Sequence, residues 1–400
     1  VGEVCQSEAV TSLTSLEGLE LVRVRLKVLG GWTSQAGSFS HRDSLLVRVV
    51  MNGPGGEVEG WGECAALPEP SYTGEYTEAA VAASERFLVP TLLKAQPLSA
   101  PEVATTLQAV KGHKMAKAAF EAAVMDAELR ARGLAAADYF VEQSQVSSSH
   151  ATSVPAGVAL SLPGDVPALL EEVSHFVEEG YRAVKLKISP FFGPAPASVA
   201  KAVREAWPGL VVCADANGAY GPLGPQEAAK ALSALDELGL CCIEQPLGED
   251  DLLGHARLAQ CLRTPVCLDE SLTSYGLVEA ALELRACSVV NVKPGRLGGY
   301  LEAVRVHDLC ARRGAPLRCG GMVETGVGRA FNVALASLPG FSLPGDLTAT
   351  GRFFQPDVAG GLGLLAGGEI AVPGHPGSGV QVDPKVVSAQ ALWRRWWPAR

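Results

Sequence analysis

The chain divides by its rhythm of apolar and polar positions. In the first part, "LELVRVRLKVL" and "DSLLVRVVMN" alternate as half-buried strands do, and "GGWTSQAGSFSHR" reads as a polar, glycine-bearing loop between them. "GEVEGWGECAAL" continues the sheet. From about Thr77 to Arg132 the period turns helical, most clearly in "KMAKAAFEAAVMDAELRARG", with Gly133 as the stop signal. "EQSQVSSSHATS" is polar and serine-rich, as linkers are.

Beyond it, short apolar runs alternate with amphipathic helical segments. The runs are "VPAGVAL", "YRAVKLKI", "LVVCADAN", "LCCIEQP", "PVCLDES", "CSVVNVKPG", "APLRCGGM" and "GFSLPGDL". Segments such as 164–179, 224–238, 274–284 and 298–312 carry helix-favouring Ala, Leu and Glu. Eight strands with helix-sized connections predict an α/β fold built on a parallel, TIM-like barrel. A doubly wound open sheet is the alternative, weakened for dinucleotides because no Gly-x-Gly-x-x-Gly follows the first run. The expected organisation is an α+β domain over 1–150, the barrel over 151–360, and a Gly- and Pro-rich segment over 361–400 that returns to the first domain.

Composition narrows the function classes. With 48% hydrophobic residues the chain has ample material for a deep core. Its net charge of −10 and the lack of a basic stripe argue against nucleic acid and anionic membrane surfaces. No run approaches the length of a membrane-spanning helix, and "VGEVCQSEAV" does not read as a signal peptide. The ten cysteines form no CxxC. Cys213, Cys241, Cys242, Cys267 and Cys287 sit in apolar runs and read as small buried hydrophobes. The expectation is a reduced, cytoplasmic protein without a disulfide framework.

In parallel barrels, chemistry gathers at the C-terminal strand ends. Those ends carry Lys185 and Lys187 on one face of the second strand, Asp215 on the third, Glu244 on the fourth, Asp269 and Glu270 on the fifth, and Asn291 and Lys293 on the sixth. Any one acid could simply cap the following helix. Three on consecutive strands, with no His or Cys beside them at those ends, form an oxygen-only set suited to Mg²⁺, with Mn²⁺ as a substitute. Strands two and six lie opposite in an eight-strand ring, so Lys187 and Lys293 would face one spot from two sides. Such a layout suits removal of the weakly acidic proton beside a carboxylate, with the metal stabilising the resulting enediolate. Lys185, by like-charge repulsion, is expected to make Lys187 a usable base.

The Lys-x-Lys, "DANG", "IEQP", "LDES" and "KPG" series resembles the muconate-lactonizing-enzyme subgroup of the enolase superfamily. Within it, the chain most resembles o-succinylbenzoate synthases and N-succinylamino acid racemases. "GWGECAALPEPSYTGEYT", "NVKPGRLGGYLEAVRVHDLC", "CGGMVETGVGRAFNVALASLP" and "LPGDLTA" carry the likeness over most of the chain. The resemblance implies an α+β capping domain on a modified (β/α)7β barrel, and Mg²⁺ held by Asp215, Glu244 and Asp269. It also implies Lys187 as base, Lys293 on the opposite face, a small carboxylate substrate and a role in menaquinone synthesis. A homo-oligomer is the default for such enzymes. Another epimerase or cycloisomerase of the subgroup, or a barrel that only binds a metabolite, are the competing readings. Asn217, Glu270, Asn291, Gly320, Met322 and Glu324 are candidates for substrate contact or support. For Glu270 and Asn291 the alternative is ordinary packing, and for Glu324 it is helix capping. Ala36, Ala159 and Arg318 depart from the family pattern as aligned and bear on substrate identity.

Overall fold

Ser15–Ser34 and Gly37–Gly53 pair antiparallel, Gly56–Cys64 adds to one edge, and Ala391–Pro398 adds to the other. The computed structural model describes residues 15–34, 37–53, 55–95, 98–161 and 164–399. The stretch expected to be a loop is largely strand: Trp32 pairs with Phe39, Thr33 with Ser38 and Ser34 with Gly37. Polar composition does not prevent this, because ladder hydrogen bonds need only the backbone. A register shift between Lys27 and Trp32 falls at Gly30 and Gly31, whose φ values of 71° and 69° favour glycine. Ala36 lies outside the described residues.

Lys114–Arg132 forms a helix that ends at Gly133 in the left-handed region, as its sequence predicts. It lies directly on the sheet because Gly60 and Gly62 have no side chains: a Cβ at Gly62 would collide with the Ala119 carbonyl, and one at Gly60 with that of Ala123. The residues between the domains are tied down rather than loose. Ser144 Oγ donates to Asp308 Oδ1 and the Gln145 N–H to Asp308 Oδ2, both at 2.6 Å.

Seven parallel strands follow in consecutive order: Val158–Ala159, Ala183–Lys187, Val211–Asp215, Ile243–Glu244, Val266–Leu268, Val289–Val292 and Leu317–Cys319. The eighth expected strand is not regular. Residues 340–347 instead close the ring through single backbone bonds, from Leu343 N to Leu317 O, Asp346 N to Cys319 O and Gly157 N to Leu347 O. Gly157 and Gly345 make this closure possible, since a Cβ at Gly157 would overlap the Gly345 carbonyl. Glycine and proline in "GFSLPG" supply the bends that break a ladder.

The last residues divide between the domains. Leu364–Leu365 and Glu369–Ala371 form a small antiparallel sheet with Ser153–Pro155, while Ala391–Pro398 joins the first sheet. Among the described residues no helix is long and apolar enough to cross a membrane. The nine described cysteines are free thiols.

Candidate active site

Strand alternation turns Lys185 and Lys187 into the ring, where they are only 4% and 6% exposed, and Lys293 follows the sixth strand at 6%. Lys187 and Lys293 line the same cleft, which is also walled by Tyr72, Asp215, Asn217 and Asp346. Burying ammonium groups is costly unless they are paired, and each of these is.

Lys187 Nζ donates to Asp215 Oδ2 at 2.7 Å and to Asn217 Oδ1 at 2.6 Å. Asn217 adopts φ 43°, which turns its N–H onto Asp215 Oδ1 at 3.0 Å and its amide NH₂ onto Glu270 Oε1 at 2.7 Å. Burial opposes ionisation of Asp215, but the Lys185 and Lys187 ammoniums override it and hold the carboxyl below its usual range. Lys185 is not a bare charge beside Lys187. Its Nζ lies 3.0 Å from Asp215 Oδ2, 2.9 Å from Glu244 Oε1 and 2.6 Å from Asp346 Oδ2. Burial disfavours that ammonium, yet the three carboxylates hold its pKa well above the ordinary value. Its repulsion of Lys187, expected from strand spacing alone, is therefore largely neutralised here.

Lys293 has a different setting. Its Nζ sits 3.0 Å from Asp269 Oδ2, donates to the Tyr72 hydroxyl at 2.8 Å and lies 4.8 Å from that ring's centroid. Tyr72 in turn donates to Asp269 Oδ2 at 2.8 Å. Asp269 also pairs with the buried Arg296 guanidinium. Burial resists its charge, but Arg296 and Lys293 keep its carboxyl below the usual range. Gly320 leaves room for this lysine, because a Cβ there would meet Lys293 Cε and the Asn291 side chain.

Glu244 is fully buried. Burial pushes its carboxyl up to about 8, against the pull of Lys185. Asn291 Nδ2 donates to its Oε1 at 3.0 Å, and Arg318 Nη1 to its Oε2 at 2.9 Å. Arg318 also reaches Asp346 Oδ1 at 2.9 Å, so the departure flagged in the sequence is a barrel-floor cation. Burial and the neighbouring Asp269 charge raise Glu270. Met322 and Glu324 line the cleft. Glu324 accepts from the Met322 N–H at 2.7 Å and from Asn332 Nδ2 at 3.0 Å, and burial raises its pKa. Ala159 and Phe39 also line the cleft.

Three residues of this network escaped the sequence reading. Asp346 ends the irregular eighth segment, and the rule that chemistry sits at strand ends could have found it. Arg296 follows Lys293 by one turn in "KPGR". Tyr72 comes from the first domain, and no local signal ties it to the barrel.

Residues 168–386 match the family model described as enolase C-terminal domain-like. An N-succinylamino acid racemase from Amycolatopsis sp is 44% identical over 382 residues, 95% of this chain and 99% of that protein. The chain belongs to the enolase superfamily. A second member, an o-succinylbenzoate synthase from Geobacillus stearothermophilus, is 40% identical over 93% of this chain and 95% of its own. Among solved structures, an enolase-superfamily protein from Listeria innocua aligns with TM-score 0.87 and 32% identity, covering 97% of this chain and 100% of that one.

Enolase-superfamily members generally use Mg²⁺. The donors here fit a hard cation in type: Asp215 and Glu244 are paired in register, and Asp269 stands two residues beyond Cys267, the register partner of Glu244. The three acids do not, however, close on one point as the sequence reading expects. Among the described residues, the set of three His, Cys, Asp or Glu ligand atoms within 4.8 Å of one another is Cys213, Cys241 and Cys242. Asp215 and Glu244 share the Lys185 ammonium, whereas Asp269 is turned toward Arg296 and Lys293.

Proposed function

We propose that this chain is a Mg²⁺-dependent o-succinylbenzoate synthase that also racemises N-succinylamino acids at the same site. The observation that carries this reading is the pair of buried lysines, Lys187 and Lys293, entering one cleft from the second and sixth strands. Asp215, Glu244 and Asp269 would hold Mg²⁺, which supplies positive charge to stabilise a substrate carboxylate as its α-proton leaves.

The rest of the chemistry belongs to side chains. In the synthase reaction, on 2-succinyl-6-hydroxy-2,4-cyclohexadiene-1-carboxylate, Lys187 takes the α-proton and passes a proton to the departing hydroxide, which leaves as water. Lys293 remains a cation over the opposite face, held by Tyr72 and Asp269. In racemisation one lysine removes the α-proton and the other returns a proton to the opposite face, so their roles swap with the enantiomer bound. Asn217 keeps Lys187 aimed, and Gly320 leaves Lys293 the space to approach.

The identity of 44% to a protein named N-succinylamino acid racemase, against 40% to one named o-succinylbenzoate synthase, favours racemisation as a second reading of the main role. The test is to supply both substrate types to the purified chain with Mg²⁺. Dehydration and racemisation are both expected, and both should vanish in Lys187→Ala. Binding of either acid without turnover or α-proton exchange would support a metabolite-binding barrel instead.

A further inference from the structure

Beneath the carboxylates lies a second cluster that the proposed reaction does not use. Cys213, Cys242 and Cys267 each precede a carboxylate by two residues (Asp215, Glu244 and Asp269 respectively), so strand alternation sets a layer of sulfur under a layer of oxygen. Cys241 joins them at the bend before the fourth strand. The thiol sulfurs of Cys213, Cys241 and Cys242 lie within 4.8 Å of one another, and Cys267 and Val289 pack against the group. In the sequence each thiol reads as a separate apolar filler; the barrel's curl brings three of them together.

We propose that Cys213, Cys241 and Cys242 form a binding site for one thiophilic d¹⁰ cation of the Zn²⁺ type, distinct from the carboxylate site above. A Zn–S bond of about 2.3 Å places tetrahedral sulfurs about 3.8 Å apart, so the thiols need only small side-chain adjustments. On binding, three S–H bonds break, the protons pass to solvent and three S–metal bonds form, with no change of oxidation state. Three thiolates and a divalent ion carry one net negative charge. The Arg318 guanidinium stands ready to offset it: its Nη1 is 3.8 Å from Cys242 Sγ, and its Nε is buried without a partner. Sulfur donors select against Mg²⁺, which takes oxygen. Cys242 and Cys213 are buried, whereas Cys241 is half-buried.

The test titrates the reduced, metal-free full chain, carrying Cys5→Ser and Cys261→Ser to remove two of the thiols outside the cluster, with Cd²⁺. Sulfur-to-metal charge-transfer absorption should saturate at one equivalent, fall when Zn²⁺ is added, persist in excess Mg²⁺, and be lost in Cys213→Ser/Cys242→Ser. Because that double variant could misfold, alkylation of the chain with Cys213 and Cys242 intact, mapped by mass spectrometry, gives an independent answer: Zn²⁺ should protect Cys241. Absence of the band, an unchanged band in the folded double variant, or equal alkylation of Cys241 with and without Zn²⁺ overturns the proposal. None of these readouts depends on turnover, so the synthase and racemase reading can fail or stand separately.

Discussion

Lys187 and Lys293 are buried to the same extent, yet they are held in opposite ways. Lys187 is fixed entirely from within the barrel, by Asp215 and Asn217 at the end of one strand. Lys293 is fixed across the domain boundary, by Asp269 from the barrel and by the hydroxyl and ring of Tyr72 from the first domain. One face of the cleft is thus a property of the barrel alone. The other is completed by the capping domain. A reaction that uses both faces depends on domain contact at one of them.

The largest effects should come from the lysines themselves. Lys187→Ala and Lys293→Ala should each lower racemisation of an N-succinylamino acid by about 10²–10⁴-fold, the usual worth of a positioned acid or base. Circular dichroism should confirm that both variants fold. Unaltered rates in either would remove that lysine from the mechanism. The comparison sharpens with the supporting groups. Asn217→Ala should slow proton removal on the Lys187 face and Tyr72→Phe on the Lys293 face, each by about tenfold, given roughly 1.5 kcal/mol for a hydrogen bond to a charged group. α-Proton exchange measured separately from the two enantiomers should therefore slow for one enantiomer in Asn217→Ala and for the other in Tyr72→Phe. Equal slowing of both enantiomers by Tyr72→Phe would break the comparison.

Seating of the capping domain can be tested further from the chemistry. Gly62→Val should push the Lys114–Arg132 helix off its sheet and cost roughly 3 kcal/mol of stability in denaturant unfolding. The smallest effect concerns Glu121, whose carboxylate accepts the Leu301 N–H at 3.0 Å between the domains. Burial pushes this carboxyl up from 4.5 to about 7. The folded state therefore holds the proton more tightly than the unfolded chain. Its contribution is complete below about pH 4.5 and is lost as pH rises through about 7, at no more than about 1.4 kcal/mol per pH unit. Glu121→Gln should flatten that decline in a pH series of unfolding midpoints, and an unchanged slope would contradict the assignment.

The barrel was legible because its strands are short apolar runs ending in charged residues, and two-residue alternation alone places Lys185 and Lys187 inside. The eighth strand is less regular than its apolar run suggests: Gly345 must lie against Gly157, and the ladder gives way to single bonds. The polar run at 30–42 conceals a hairpin, because a ladder is indifferent to side-chain polarity. In the site, the lysines and acids announce themselves at strand ends, whereas their partners do not. Tyr72 is 221 residues from Lys293, and such a contact leaves no periodic trace. The pairing of Lys185 with three carboxylates was equally hidden, since strand spacing shows which face a charge occupies but not what lies across the ring. The thiol cluster has the same origin: each cysteine is plain in its run, and only curvature assembles them.

The most direct test of the two-faced cleft follows hydrogen–deuterium exchange at the α-carbon, in D₂O with Mg²⁺, starting from each enantiomer of one N-succinylamino acid. If Lys187 and Lys293 serve opposite faces, Lys187→Ala should still exchange one enantiomer while Lys293→Ala exchanges only the other. Loss of exchange from the same enantiomer in both variants, or retention of both, would contradict the account.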